Sequence, residues 1–272
     1  LAGTSLMELR AALDEHRQYL PFDPPFRDAG ATIGGTVAAG LSGPGSFRFG
    51  GVRDFILGVK LVDGQAEWFA GGGKVVKNAA GFDLPKLMVG SLGEFGIMTE
   101  VTMKVFPRPQ SRRTLVCNVP DLAAAVSLMT RLGRSQLELS AIELQRPYRL
   151  VLQLNGSAGA ARERLKRAVA ALPAEVTVLE GAAAAELWTA EREFTWLPEG
   201  SNLLKIACNP GVLLQLDALL EQLAPGGARR YGLAGHVCYA ALPRTTDFTT
   251  LEAGLQSLRL GGLPLIGDWP AS

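Results

Sequence analysis

The chain has 272 residues, 47% of them apolar, and 27 basic side chains against 26 acidic ones leave a formal charge of +1. That length supports one large hydrophobic core or two smaller ones, and two domains are expected. The balanced charge argues against a nucleic-acid binder, which needs a basic face to replace phosphate counterions. No apolar run reaches the roughly twenty residues of a membrane span, and no charged-then-apolar leader opens the chain, so a cytoplasmic protein is expected. Any membrane association would come through a partner. Cys117, Cys208 and Cys238 are widely spaced with only His16 and His236 to join them, so neither zinc nor an iron–sulfur cluster is expected and no metal site is assigned.

Thr4 or Ser5 caps an expected amphipathic helix with Leu6, Leu9, Leu13 and His16 on one face. The prolines of 20–26 remove donors and fix φ, which makes that stretch an extended connector. It leads into Gly30-Ala31-Thr32-Ile33-Gly34-Gly35-Thr36-Val37-Ala38-Ala39-Gly40, where small side chains let a backbone approach something bulky and anionic. Residues 33–41 read as a short helix whose amino end would face phosphates. Residues 55–63 and 65–70 form a hairpin across Asp63-Gly64. Gly71-Gly72-Gly73-Lys74 lacks the spacing of a phosphate-binding P-loop and reads as a turn. In 77–83, Asn78 and Asp83 turn or cap the backbone, and Asp83 opens a short helix through Leu87.

A second glycine-rich run, Gly90-Ser91-Leu92-Gly93-Glu94-Phe95-Gly96-Ile97, opens into an alternating strand over 97–106. Two such loops suggest one extended ligand, with bare amides for phosphate oxygens; tight turns and close packing are the plain alternative for either loop alone. Prolines and arginines over 107–113 mark a domain boundary.

Beyond it the order is strand 114–119, helix 122–132, strands 137–144 and 149–154, helix 160–171 and strand 176–179. A helix over 183–192 follows. Strand 203–207, helix 211–223, strands 229–233 and 237–241, helix 247–258 and strand 263–266 repeat the order. Each half is a split βαβ arrangement with an antiparallel sheet covered on one face. The fold class is α+β, with domains at 1–109 and 110–272.

The segments 31–43, 50–59, 75–91 and 96–109 resemble flavoproteins of the p-cresol methylhydroxylase and vanillyl-alcohol oxidase superfamily, and within it the smaller flavin-binding subunit of bacterial glycolate oxidase. The Lys77 to Lys86 segment is the most specific part. The resemblance implies a p-cresol methylhydroxylase-type FAD-binding domain over 1–109 and an α+β cap over 110–272. It implies FAD held by Gly34, Gly35, Thr36, Thr32, Ile33, Gly96, Ile97, Gly93, Gly43 and Gly50, with Pro24 passing close to the flavin; because no histidine or cysteine other than His16 sits in the densely matched stretches, non-covalent binding is expected. Lys77 or Lys86 would lie near the flavin or a partner surface. The family also has a preceding segment with a pyrophosphate loop, which nothing in these residues matches, so either the domain is incomplete here or the loop has been lost.

The implied assembly oxidises glycolate or a related D-2-hydroxy acid, a small substrate, with a larger flavoprotein subunit and an iron–sulfur subunit as partners. The rival expectation is a non-catalytic docking subunit derived from a flavoprotein; a free-standing oxidase using molecular oxygen comes third. No catalytic residue is assigned. His236, flanked by Tyr231 and Tyr239, is the one plausible histidine base, and Arg112-Arg113 or Arg229-Arg230 would serve for a substrate carboxylate. A strand-end histidine and solvated arginines are the plainer readings.

Overall fold

The computed structural model of the chain describes residues 1–73, 82–173 and 175–269. It divides into two compact units, one of Leu1–Pro109 with Glu191–Glu193 and one of Gln110–Ala190 with Phe194–Ser272. Lys77 and Asn78 lie outside the described residues.

In the first unit, α1 (Leu6–Glu15) starts at Ser5, which forms a reciprocal capping box with Glu8. β1 (Gln18–Tyr19) follows, and the connector after it is irregular rather than extended, with left-handed φ at Asp23 and Phe26. α2 (Ile33–Ala39), α3 (Ser46–Phe49), the hairpin of β2 (Ile56–Val62) and β3 (Trp68–Gly72), α4 (Leu84–Leu87), β4 (Ile97–Met103) and β5 (Phe106–Pro107) complete the unit. The strand expected over 97–106 is two: β4 stops at Met103, the Lys104 amide turns to the Phe55 carbonyl, and β5 pairs with β1. β2 is central in the order β3-β2-β4.

One face of that sheet feeds a core of Phe22, Val37, Val52, Phe55, Ile56, Val59, Leu61 and Met88. Phe22 comes from the connector, and burying such a side chain stabilises by about 1.5–3 kcal/mol. Together with Val37 it fixes α2 against the sheet. The other face carries Trp68, Val62 and Ile97 in register, with Trp68 and Ile97 exposed.

In the second unit, β6 (Ser111–Asn118), α5 (Leu122–Gly133), β7 (Ala141–Gln145), β8 (Arg149–Gly156), α6 (Ala158–Ala170) and β9 (Val176–Leu179) form the first half. α7 (Gly181–Glu193) leads to β10 (Asn202–Ala207), α8 (Leu213–Leu223), β11 (Arg229–Gly232), β12 (Val237–Leu242), α9 (Phe248–Ser257) and β13 (Gly262–Ile266). The halves join through β7 and β11 into a single antiparallel sheet of order β13-β10-β12-β11-β7-β8-β6-β9.

The sheet has helices on both faces, where the sequence pointed to one. α8 lies on the face of Arg229, which reaches its Asp217 and Glu221. α7 lies on the opposite face, where Trp188 packs on Val116, Ala141 and Val151 and its indole N–H donates to the Thr114 hydroxyl (2.8 Å).

Candidate functional site

Both glycine-rich stretches are anchored on α2. The Thr32 hydroxyl accepts the Gly35 amide (3.0 Å) and starts this helix, and Gly40, left-handed at φ 62°, ends it. At that carboxyl end the Gly90 amide donates to the Val37 carbonyl (3.0 Å) and the Leu92 amide to Ala38 (2.9 Å). A Cβ on Gly40 would stand 3.2 Å from the Gly90 Cα. At the amino end Ala2 is the bridge: its carbonyl accepts the Gly34 amide (2.8 Å) and its amide donates to Thr99 in β4 (2.9 Å).

The amino end of α2 differs from the expectation of free donors facing phosphates. The Ile33 amide donates to the Thr4 carbonyl (3.0 Å), that of Gly34 to Ala2, and that of Gly35 to Thr32. A backbone segment and a cap therefore satisfy the donors that an isolated helix start leaves open.

The candidate residues sort by what surrounds them. At Gly34, Gly43, Gly50 and Gly96 the space a Cβ would need is taken by the chain itself, by Ala2, Asp23, Asp54 and Val62 respectively. Gly35 is exposed, and a Cβ there would meet only the Thr32 hydroxyl at 3.2 Å; at Gly93 it would meet nothing within 4 Å. Ile33 and Thr36 are buried, with the Thr36 hydroxyl donating to the Thr32 carbonyl (3.0 Å). Pro24 is half-buried and Ile97 is 75% exposed. Lys86 forms an ion pair with Asp83 (2.7 Å), whose carboxyl that contact holds below its usual range.

Ser91 was not singled out by sequence. It is buried in the second stretch and its hydroxyl has no hydrogen-bond partner. A buried hydroxyl without a partner is costly in a finished core. Ser91 lies in the stretch that is anchored on the carboxyl end of α2. Its place between glycines was visible in the sequence, whereas its burial was not.

In the second unit, His236 is exposed after the turn Leu233–Gly235. Its flanking tyrosines do not join it. Tyr231 is buried with its hydroxyl on Asp217, and burial pushes its pKa up; Tyr239 alternates to the other face of β12. Arg113 is spent on Glu180 (3.0 Å). Arg229 is 1% exposed and bonds Asp217 (2.7 Å), Glu221 (2.7 Å) and the Ala224 carbonyl (3.1 Å), so of its pair only Arg230 faces the opposite side of the sheet. Among the described residues no group of three or more His, Cys, Asp or Glu side chains is placed to hold a metal ion, and no helix is long and apolar enough to cross a membrane.

Residues 1–71 match the FAD binding domain family, so the chain carries flavin-binding sequence in the segment that builds α2. The chain is also similar to the glycolate oxidase subunit GlcE of Escherichia coli (strain K12), at 48% identity over 113 residues, 42% of this chain and 32% of that protein. It is 33% identical over 142 residues to a mitochondrial D-lactate dehydrogenase [cytochrome] of Arabidopsis thaliana, covering 52% of this chain and 24% of that one. Glycolate oxidase subunit GlcD of Bacillus subtilis (strain 168) is 29% identical over 152 residues, 56% of this chain and 32% of that protein. The matched region thus spans about a third or less of these relatives' own length.

A solved structure of alkyldihydroxyacetonephosphate synthase shares the fold, with a TM-score of 0.69 at 16% identity over 93% of this chain and 58% of that one. The resemblance to p-cresol methylhydroxylase-type flavoproteins, and the α+β fold class, therefore stand.

Proposed function

We propose that this chain is the flavin-binding part of a subunit of a 2-hydroxy acid oxidase or dehydrogenase of the glycolate-oxidising kind. The observation that carries the reading is the FAD binding domain match over the residues that form α2, on which the second glycine-rich stretch is also anchored. The similarity to GlcE supports glycolate as the substrate class. When bound, FAD supplies the two-electron oxidation of the alcohol carbon, and the protein's part is binding and orientation.

The chain's own contribution is a non-covalent grip. The exposed backbone at Gly35 and Gly93 and the Ile97 side chain contact the cofactor; Thr32, Ile33, Gly34, Thr36, Gly43, Gly50, Gly96 and Pro24 shape the backbone behind it. The second unit acts as a cap. Electrons leave through an iron–sulfur partner, with a larger flavoprotein subunit completing the assembly.

A second reading, a docking subunit that has given up FAD, is favoured by one observation: the first three amides of α2 are already bonded. Flavin uptake separates the two. The purified chain is incubated with FAD, desalted, examined for blue absorbance, then denatured to see whether the colour is released. Gly35→Glu is the variant of choice, because Glu at the third helical position after Thr32 completes a capping box and leaves folding intact. Its charge would meet an anionic ligand at short range. Loss of uptake with an unchanged far-UV spectrum is expected. Uptake equal to that of the parent chain rejects the assignment, and a parent chain that takes up no flavin favours the docking reading.

A further inference from the structure

The two ends of the eight-stranded sheet are finished differently. β13 carries Pro264, which has no amide to donate, and its register slips between Leu203 and Leu204 of β10. At the other end β9 reads Val176-Thr177-Val178-Leu179, with no proline, no charge and an unbroken register against β6. Thr177 and Val178 are exposed, Val178 at 39%, and among the described residues no strand pairs with the outer edge of β9. Such an edge presents main-chain amides and carbonyls that can bond another strand.

The side chains of this edge match a second copy of themselves. Val116 stands opposite Thr177 and Thr114 opposite Leu179, and Leu179 packs on the cluster that holds Trp188. Thr177 therefore points to the α7 side of the sheet, and Val176 and Val178 to the other. Two copies of β9 related by a two-fold axis perpendicular to the sheet pair antiparallel, and each face of the sheet continues as itself. Residues opposite each other must then share a face, so a residue on the axis meets its own copy. An axis at Thr177 sets Thr177 against Thr177 and Val176 against Val178 twice, hydroxyl and β-branched pairs that favour antiparallel strands. It also keeps the carboxylates apart: Glu175 falls opposite Leu179, and Glu180 is already bonded to Arg113 (3.0 Å). An axis at Val178 would instead set Thr177 against Leu179 and Val176 against Glu180, mixed pairs that gain less.

We propose that the outer edge of β9 is a self-association surface, which pairs antiparallel with β9 of a second copy about a two-fold axis at Thr177 and continues the sheet from one chain into the next. The edge is four residues long. It buries less than the about 800 Å² per partner of a standard interface, so the dimer is weak and reversible, with a dissociation constant of about 100 µM. The flavin reading is not needed for it.

Sedimentation equilibrium of the 272-residue chain, at concentrations up to about five times that constant, is expected to show a monomer–dimer equilibrium. Val178→Lys puts an ammonium group on an exposed position of the edge, and two of them come close in the dimer. It should weaken association at least tenfold while the far-UV spectrum stays that of the parent. Thr177→Cys sets two thiols across the axis, within reach of a disulfide, and should cross-link under copper phenanthroline. Val178→Cys, whose copies are offset by two residues along the strand, should cross-link much more slowly. The parent chain, with Cys117 and Cys238 buried and Cys208 half-buried, is the background. A parent chain that stays monomeric over this range, association unchanged in a folded Val178→Lys, or cross-linking of Val178→Cys as fast as that of Thr177→Cys overturns the proposal.

Discussion

Replacing Arg229 by Ala tests how the second unit holds α8 on its sheet. The guanidinium is 1% exposed and its contacts include Asp217 and Glu221 at 2.7 Å each and the Asp217 and Ala224 carbonyls at 3.1 Å. Removing one partner of a buried charge pair destabilises by about 3–5 kcal/mol, because the other charge stays behind. Two features place this site at the lower end. Glu221 has a side chain 42% exposed and can be rehydrated, and Asp217 keeps the Tyr231 hydroxyl and Arg146 (3.2 Å). A loss of about 3 kcal/mol is therefore expected, which in a unit of this size lowers the melting temperature by about 6–12 °C.

Urea unfolding followed by circular dichroism measures it. Arg113→Ala is the control, because the bridge to Glu180 is solvent-exposed and contributes at most about 1 kcal/mol. If Arg229→Ala loses no more than this control, the buried network is not what secures α8.

Two other outcomes follow from the same unit. Glu221 is held down to about 2 by the Gly226 amide first and then by Arg229, against an ordinary value of 4.5. A depressed carboxylate contributes stability that is full above its unfolded pKa and lost as pH falls through its folded one. Acid unfolding should therefore steepen between about pH 4.5 and 2, and Glu221→Gln should flatten that part of the curve. Burial raises the thiols of Cys117 to about 11 and Cys208 to about 12, and that of Cys238 well above its usual range. At pH 8 an aromatic disulfide reagent should react slowly with the native chain and rapidly once urea unfolds it; fast reaction of the native chain would contradict this burial.

The order of elements was readable because each carries its own periodicity, as in α5, where Leu122, Ala125, Leu128, Met129 and Leu132 are the buried positions. Limits failed where backbone chemistry intervened. β7 begins at Ala141 rather than 137, since Glu138 takes a left-handed φ of 54° that no alternating pattern announces. The joining of the halves through β7 and β11 is a long-range register and leaves no local trace. At the candidate site the glycine spacing announced close approach but not its object. Ala2 and Thr4, some thirty positions upstream, take amides that the sequence led one to expect free.

The back-to-back contact of Gly40 with Gly90 has a practical corollary for anyone mapping this region by mutagenesis. A scan scored on turnover alone would lump collapsed protein with empty protein, since the glycines here are in large part either crowded by the chain itself or held at a left-handed φ. Among the candidate glycines it is Gly35, with an ordinary φ and only the Thr32 hydroxyl near its missing Cβ, where a dead variant speaks about the guest rather than the host; at Gly93 the left-handed φ of 86° would strain any side chain.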